Sequence, residues 1–208
     1  TSKPTALFSN TQIENPNLML EGMPNYRSGV DGLRVSNSTK GGITFAASTT
    51  QNGIHMITVV LGVEAVDGDP YARFVATSSL MNYVVRTFVS SIVVKEGDPY
   101  GKSKATVMDG KSDTVLAVAK KDFYIVEKQG SQAEPKIQFK SNQESFRAPV
   151  KSDTSLGKLH YTDPDKIGRG YLEDQEPTVD MVAGRTIEKS FFLKVWWNEF
   201  VRYVNEKL

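Results

Sequence analysis

The chain has 208 residues, a formal net charge of +1 and 39% apolar residues. That is enough apolar material for one or two cored domains, and it excludes a compositionally disordered chain. The near-zero charge gives no electrostatic footprint for nucleic acid, and the absence of cysteine excludes disulfides and thiolate metal sites. The two histidines, His55 and His160, lie far apart and outside any ligand-like spacing. No metal or cofactor is therefore expected. No apolar run is long enough to span a bilayer. The chain opens Thr-Ser-Lys-Pro, without Met or an apolar leader, which reads as a processed product or a fragment.

Residues 1–28 read as a short strand around Ala6-Leu7-Phe8 and a loop, with turns at Asn15-Pro16-Asn17 and Gly22-Met23-Pro24. Three strands follow: Gly29 to Ser36, Gly42 to Thr50 and Met56 to Gly62. Gln51-Asn52-Gly53 is a hairpin turn, because Asn and Gly both tolerate positive φ. Val59-Val60-Leu61 is continuously apolar, which predicts a strand covered on both faces. At Asp67-Gly68-Asp69-Pro70, Asp69 fits an N-cap and Pro70 a first helical position. The stripe Phe74, Leu80, Met81, Val84, Val85 and Phe88 predicts a helix from Tyr71 to Val89 that packs across the sheet.

From Ile92 onward the pattern becomes short strands. After a connecting strand at Ile92-Val93-Val94 and a turn over Glu96 to Gly101, strands are expected at residues 105–108, 114–119, 123–126, 136–139, 148–150, 156–161 and 178–182. Turns such as Asp109-Gly110-Lys111, Lys128-Gln129-Gly130 and Asp163-Pro164-Asp165 separate them. Regular short strands predict an all-β, sandwich-like module. From Ile187 to Leu208 the period is helical again. Phe191, Phe192, Trp196, Trp197, Phe200 and Tyr203 form a broad aromatic face, and Ser190, Lys194, Asn198 and Arg202 form a polar stripe. Such a helix either lies in a membrane interface or docks on its own domain or a partner.

The run Gly29-Val30-Asp31-Gly32-Leu33-Arg34-Val35-Ser36, with its lead-in Met23-Pro24-Asn25-Tyr26 and the two strands after it, resembles the active-site strand of the low-molecular-mass penicillin-binding proteins. These are the serine D-Ala-D-Ala carboxypeptidases, peptidase family S11. Ala148-Pro149-Val150 and Leu156-Gly157-Lys158-Leu159 likewise resemble their C-terminal β domain. The family carries Lys-Thr-Gly where this chain has Arg34-Val35-Ser36. The resemblance implies that Arg34, Val35 and Ser36 are the substrate-binding positions. Arg34 keeps the charge as a planar fork. Val35 lacks a hydroxyl, and a bound carboxylate short of one such partner loses about 1–3 kcal/mol. Ser36 adds a Cβ where the family has none.

The family's nucleophile lies in Ser-x-x-Lys, assisted by Ser-x-Asn. No Ser-x-Asn occurs among the 208 residues, and the sole Ser-x-x-Lys is Ser155 to Lys158, inside the strand pattern. No catalytic residue is therefore expected here. The resemblance implies an α+β fold: the remnant of an antiparallel transpeptidase-like sheet with one helix (residues 1–93), a β-rich domain (94–186) and an amphipathic membrane-associating helix (187–208). It implies part of a carboxypeptidase-like protein of peptidoglycan metabolism at the outer face of a Gram-positive cytoplasmic membrane, with the peptidoglycan stem peptide and the membrane surface as partners. The alternative is a non-catalytic, membrane-associated scaffold or binding module derived from the same fold. A sheet remnant leaves an uncovered edge and face, which predicts self-association or a missing N-terminal half.

Overall fold

The computed structural model describes residues 3–8, 11–64, 69, 71–163, 165–168, 170–171, 173 and 175–207. The elements are β1 (Thr5–Phe8), β2 (Thr11–Glu14), β3 (Val30–Ser38), β4 (Gly42–Gln51), β5 (Ile54–Val63), α1 (Ala72–Thr87), β6 (Phe88–Val94), β7 (Pro99–Met108), β8 (Thr114–Ala119), β9 (Phe123–Lys128), β10 (Lys136–Ser141), β11 (Phe146–Arg147), β12 (Ser155–Thr162), β13 (Thr178–Ala183) and α2 (Phe192–Lys207). The expectations for Asp67, Gly68, Pro70 and Pro164 lie outside the described residues. The chain divides into two compact units: residues 1–90 with 126–130, and residues 91–125 with 131–208. The fold is α+β, as the sequence predicts.

In the first unit β3, β4 and β5 form a three-stranded antiparallel sheet in sequence order. Asn52 and Gly53 turn between β4 and β5 with φ of 51° and 74°, the left-handed pair a tight hairpin needs. Gly29, at φ 80°, leads into β3 where an added Cβ would sit 2.8 Å from the Thr50 carbonyl oxygen, so only glycine fits. The first-unit core comprises Val30, Phe45, Ala47, Ile54, Met56 and Val60 from the sheet, with Phe74 and Met81 from α1. Phe45 and Phe74 meet edge to face at 5.0 Å between centroids. Asp69 accepts the Tyr71 amide at 2.8 Å, just ahead of α1.

Two expectations change here. The segment before β3 is a β1–β2 hairpin followed by a loop, and that loop puts Met19 and Leu20 into the core. The Asn17 side chain holds this turn by accepting the Met19 amide at 3.0 Å. The apolar run in β5 is covered on one face only: Val60 is buried, while Ile57, Val59 and Leu61 are 62%, 55% and 74% exposed. The strand alternates in burial although its composition does not.

The second unit is built on a six-stranded sheet ordered β10-β12-β13-β8-β7-β11. Its inward residues include Val115, Ala117, Leu156, Leu159, Val179 and Met181, joined by Val94, Phe123 and Ile125 in one core. Gly157 is required where β12 meets β10, because an added Cβ would lie 2.1 Å from the Lys140 carbonyl oxygen. β7 starts at Pro99, earlier than predicted. The strand expected at residues 148–150 is displaced to Phe146–Arg147. Pro149 has no N–H for a ladder, and Val150 instead makes an isolated bridge to Ile187. The expected helical start at Ile187 is also corrected. Ile187 is buried and exchanges 2.9 and 2.7 Å backbone bonds with Val150, and the helix begins at Phe192.

Candidate functional site

β3 is the edge strand of its sheet, and Arg34, Val35 and Ser36 stand opposite Ala46, Phe45 and Thr44 of β4. Alternation separates the three side chains. Arg34 and Ser36 are exposed on the face that also carries Ile57, Val59 and Leu61. Val35 is half-buried and packs against the core on the α1 side. The structure therefore brings Arg34 and Ser36 together on one face and places the Val35 side chain on the other. At the start of the strand, the Ser48 hydroxyl donates to the Asp31 carboxylate.

Two arginines hold this strand and its lead-in, and sequence reasoning missed both. Arg73 of α1 is buried. One of its terminal nitrogens donates to the Ser36 and Thr44 carbonyl oxygens at 3.1 and 3.2 Å, and the other donates to the Asn37 side chain. Burial pushes its pKa down from the usual guanidinium range. The missed signal was the spacing Arg73, Thr77 and Met81, every fourth residue on the buried stripe of α1. Arg27 donates to the Asn82 side chain at 2.8 Å and to Gln51 at 2.7 Å, which fixes the loop before β3.

In the second unit, α2 is held by its polar side. Lys194 pairs with Asp113 at 3.2 Å, and the Asn198 amide reaches the buried Asp109 carboxylate at 3.5 Å. Arg147 also donates to Asp109, at 3.1 Å. A strap of backbone bonds precedes the helix, from the Lys111 amide to the Glu188 carbonyl and from the Ser190 amide to the Asp109 carbonyl. On the other side Phe191, Phe192, Trp196, Trp197, Phe200 and Tyr203 are all between 48% and 67% exposed. Trp196 stacks on Phe200 at 5.9 Å, and Trp197 lies 6.0 Å from the same ring. No helix among the described residues is long and apolar enough to cross a membrane, and no metal-ligating cluster occurs among them. Ser155, of the Ser-x-x-Lys run, lies in strand β12 rather than at a helix start.

Residues 88–189 match the family model described as penicillin-binding protein 5, C-terminal domain. The D-alanyl-D-alanine carboxypeptidase DacA of Haemophilus influenzae is 26% identical over 133 residues, which cover 64% of this chain and 32% of that protein. The DacA of Escherichia coli K12 is 24% identical over 132 residues, covering 64% and 31%. A crystal structure from Streptococcus pneumoniae, described as a peptidoglycan synthesis regulatory factor (PBP3), aligns with a TM-score of 0.84 and 44% identity. That alignment covers 90% of this chain and 51% of the other. Penicillin-binding protein 5 of H. influenzae shares the fold, with a TM-score of 0.59 and 22% identity over 90% of this chain and 50% of its own. The chain thus spans about a third of the curated relatives and about half of these crystallised chains.

A three-stranded sheet backed by one helix, followed by a β module and a terminal helix, is the C-terminal architecture of a penicillin-binding protein. Residues 88–189 match the C-terminal domain of the low-molecular-mass penicillin-binding proteins, and across both units the chain is similar to the C-terminal part of such a protein.

Proposed function

We propose that this chain is the substrate-edge and membrane-facing part of a D-alanyl-D-alanine carboxypeptidase-related protein of cell-wall metabolism. The observation that carries the reading is the 44% identity and 0.84 TM-score to the pneumococcal structure, across both units of the chain. β3 has an unpaired outer edge among the described strands, and an extended peptide adds to such an edge by main-chain hydrogen bonds. A peptidoglycan stem peptide laid there would meet the Arg34 guanidinium as a partner for its terminal carboxylate. Ser36 shares that face, and Val35 takes part through its backbone. The face beside it, with Ile57, Val59 and Leu61, would be covered by the additional chain that a protein of the relatives' length supplies, or by a second copy.

The exposed aromatic side of α2 supports placement at the outer surface of a Gram-positive cytoplasmic membrane. Trp and Tyr favour the headgroup level, and the polar side of the helix is already occupied. One observation favours a second reading, a non-catalytic scaffold: the signature Lys-Thr-Gly is replaced at all three positions by Arg34-Val35-Ser36.

Acyl transfer needs a nucleophile held against a base, with donors aimed at the oxyanion. The 208 residues alone are therefore expected to form no covalent adduct with fluorescent penicillin. Labelling of a single serine, mapped by mass spectrometry, would show that the chemistry lies within them. In a longer parent carrying Ser-x-x-Lys and Ser-x-Asn, penicillin labelling and D-alanine release support the enzyme, and their absence supports the scaffold. Charge reversal by Arg34→Glu should cut D-alanine release from such a parent at least tenfold, as loss of a charge-assisted pair requires.

A further inference from the structure

Asp109 is an unfavourable residue for its position on two counts. It follows the last residue of β7 in the left-handed region, at φ 59°, where glycine meets the dihedral without strain. Its carboxylate is also buried, with 2% of the side chain exposed, and a buried charge destabilises unless it is paired. The turn needs no carboxylate; three other segments use this residue. Arg147 of β11 donates its Nε–H to one carboxylate oxygen at 3.1 Å. The Asn198 amide of α2 reaches the other at 3.5 Å. The Asp109 backbone carbonyl accepts the Ser190 amide at 2.8 Å, at the end of the strap. Gly110, next in the turn, sits so close to the strap that an added Cβ would lie 2.9 Å from Ile187 Cγ2. The core of the second unit includes Ile187 but, among the described residues, none from α2. The helix is therefore directed by polar ties. Of those through Lys194 and Asn198, the Lys194–Asp113 pair is exposed on both sides and holds weakly, and only Asn198 reaches a buried partner.

We propose that Asp109 is the positioning residue of α2, a buried latch that sets the direction in which the helix leaves the β module. Deleting the latch frees that direction and leaves the β module folded, because the core of the module lies elsewhere, around Val115, Leu159 and Met181. A directed helix holds the module at one height and tilt over a lipid surface. A freed helix binds the same surface through the same rings and fixes neither. The consequence at a surface rests on the membrane placement proposed above. The latch itself is read in solution, so the two can fail separately.

Both tryptophans of the chain, Trp196 and Trp197, lie in α2, so the decay of tryptophan anisotropy reads the helix alone. The test uses the full 208-residue chain at low concentration. Asp109→Gly keeps the left-handed backbone and deletes the latch. It should at least double the amplitude of the nanosecond component, with the melting temperature by circular dichroism moved by less than about 4 °C. Asp109→Asn tolerates the same φ and keeps an acceptor oxygen, and should restore at least half of the difference. Lys194→Ala, which breaks the exposed pair, should decay as the wild type does. If Asp109→Gly does not fold, Asn198→Ala removes only the helix end of the latch and should raise the same component. On vesicles of phosphatidylglycerol and phosphatidylcholine, Asp109→Gly should partition within threefold of the wild type. A fluorophore on Lys158→Cys, unique because the chain has no cysteine, should then show a broader spread of distances to lipid-borne acceptors than it does with Asp109 in place. An unchanged decay in Asp109→Gly and Asn198→Ala would overturn the latch, and so would an equal rise in Lys194→Ala. A lowered melting temperature with an unchanged decay would do the same, by reducing Asp109 to a stability residue. A wild-type chain that does not partition would overturn the membrane placement and leave the latch to stand or fall on the decay in solution.

Discussion

Arg73 shows how one side chain governs the candidate site without facing a substrate. Its bonds to the Ser36 and Thr44 carbonyls and to Asn37 are made from a buried position. Removing it takes the charged donor from both carbonyls, and among the described residues only the Ser36 carbonyl keeps another side-chain donor, the Thr44 hydroxyl at 3.1 Å. Arg73→Ala is expected to destabilise the first unit by about 2–4 kcal/mol, since hydrogen bonds to charged groups contribute about 1.5–3 kcal/mol each. Urea unfolding followed by fluorescence measures this, and a loss below 0.5 kcal/mol (about the scatter of surface changes) would refute it. His160 supplies a second case. Burial first, then Lys140 and Lys158, depress its folded pKa, so the unfolded chain binds the proton more readily. The contribution of neutral His160 is present above the unfolded value, near 6.5, and is lost as pH falls through the lower folded value. The melting temperature of the wild type should therefore fall more between pH 7 and pH 5 than that of His160→Gln. Equal falls would show that His160 titrates as it does in the unfolded chain.

At the scale of elements, legibility in the sequence followed locality. The three strands were readable because Asn52-Gly53 and the Gly-flanked apolar runs specify turns and pairing within a few residues. β8 was readable to the residue for the same reason. The run Val59-Val60-Leu61 misled because coverage of a strand's second face depends on what else packs there, and composition does not carry that. The displaced β11 and the late start of α2 share one cause: Val150 and Ile187 pair across 37 positions of sequence, which no local period reveals. The aromatic face of α2 was readable from its period, but its anchoring through Asp109 and Asp113 was not, because those residues lie in a distant turn. The full chain should sediment with anionic liposomes, and a chain ending at Ser190, which keeps Ile187 in place, should not. Trp196→Ala with Trp197→Ala should weaken partitioning at least tenfold, as loss of two interfacial aromatics implies. Equal partitioning of the truncated and full chains would refute the anchor.

At the scale of the whole molecule, the exposed Ile57, Val59 and Leu61 lie on a sheet whose β3 edge is open among the described strands. Contiguous apolar surface next to an open edge promotes pairing. The isolated chain is expected to self-associate in sedimentation velocity at high concentration, and Ile57→Lys with Leu61→Lys should return it to monomer. A chain ending at Ser190 should self-associate to the same extent, which separates the sheet from the aromatic helix as the cause. A monodisperse monomer at every concentration would show that this face needs no cover.

The anchoring of α2 has a consequence for kinetics. Among the described residues, Lys194, Asn198 and the strap at residues 187–190 tie the helix to its domain from the side away from Trp196, Trp197 and Phe200. Engagement of a lipid surface would leave all of those ties intact. The helix is already presented, so capture needs no release step and shows no lag. The rate should track collision with the surface, and only the time spent there should respond to which rings are present. The same arrangement leaves an aromatic flank exposed to water when no surface is at hand, so added detergent is expected to bind this end of the molecule.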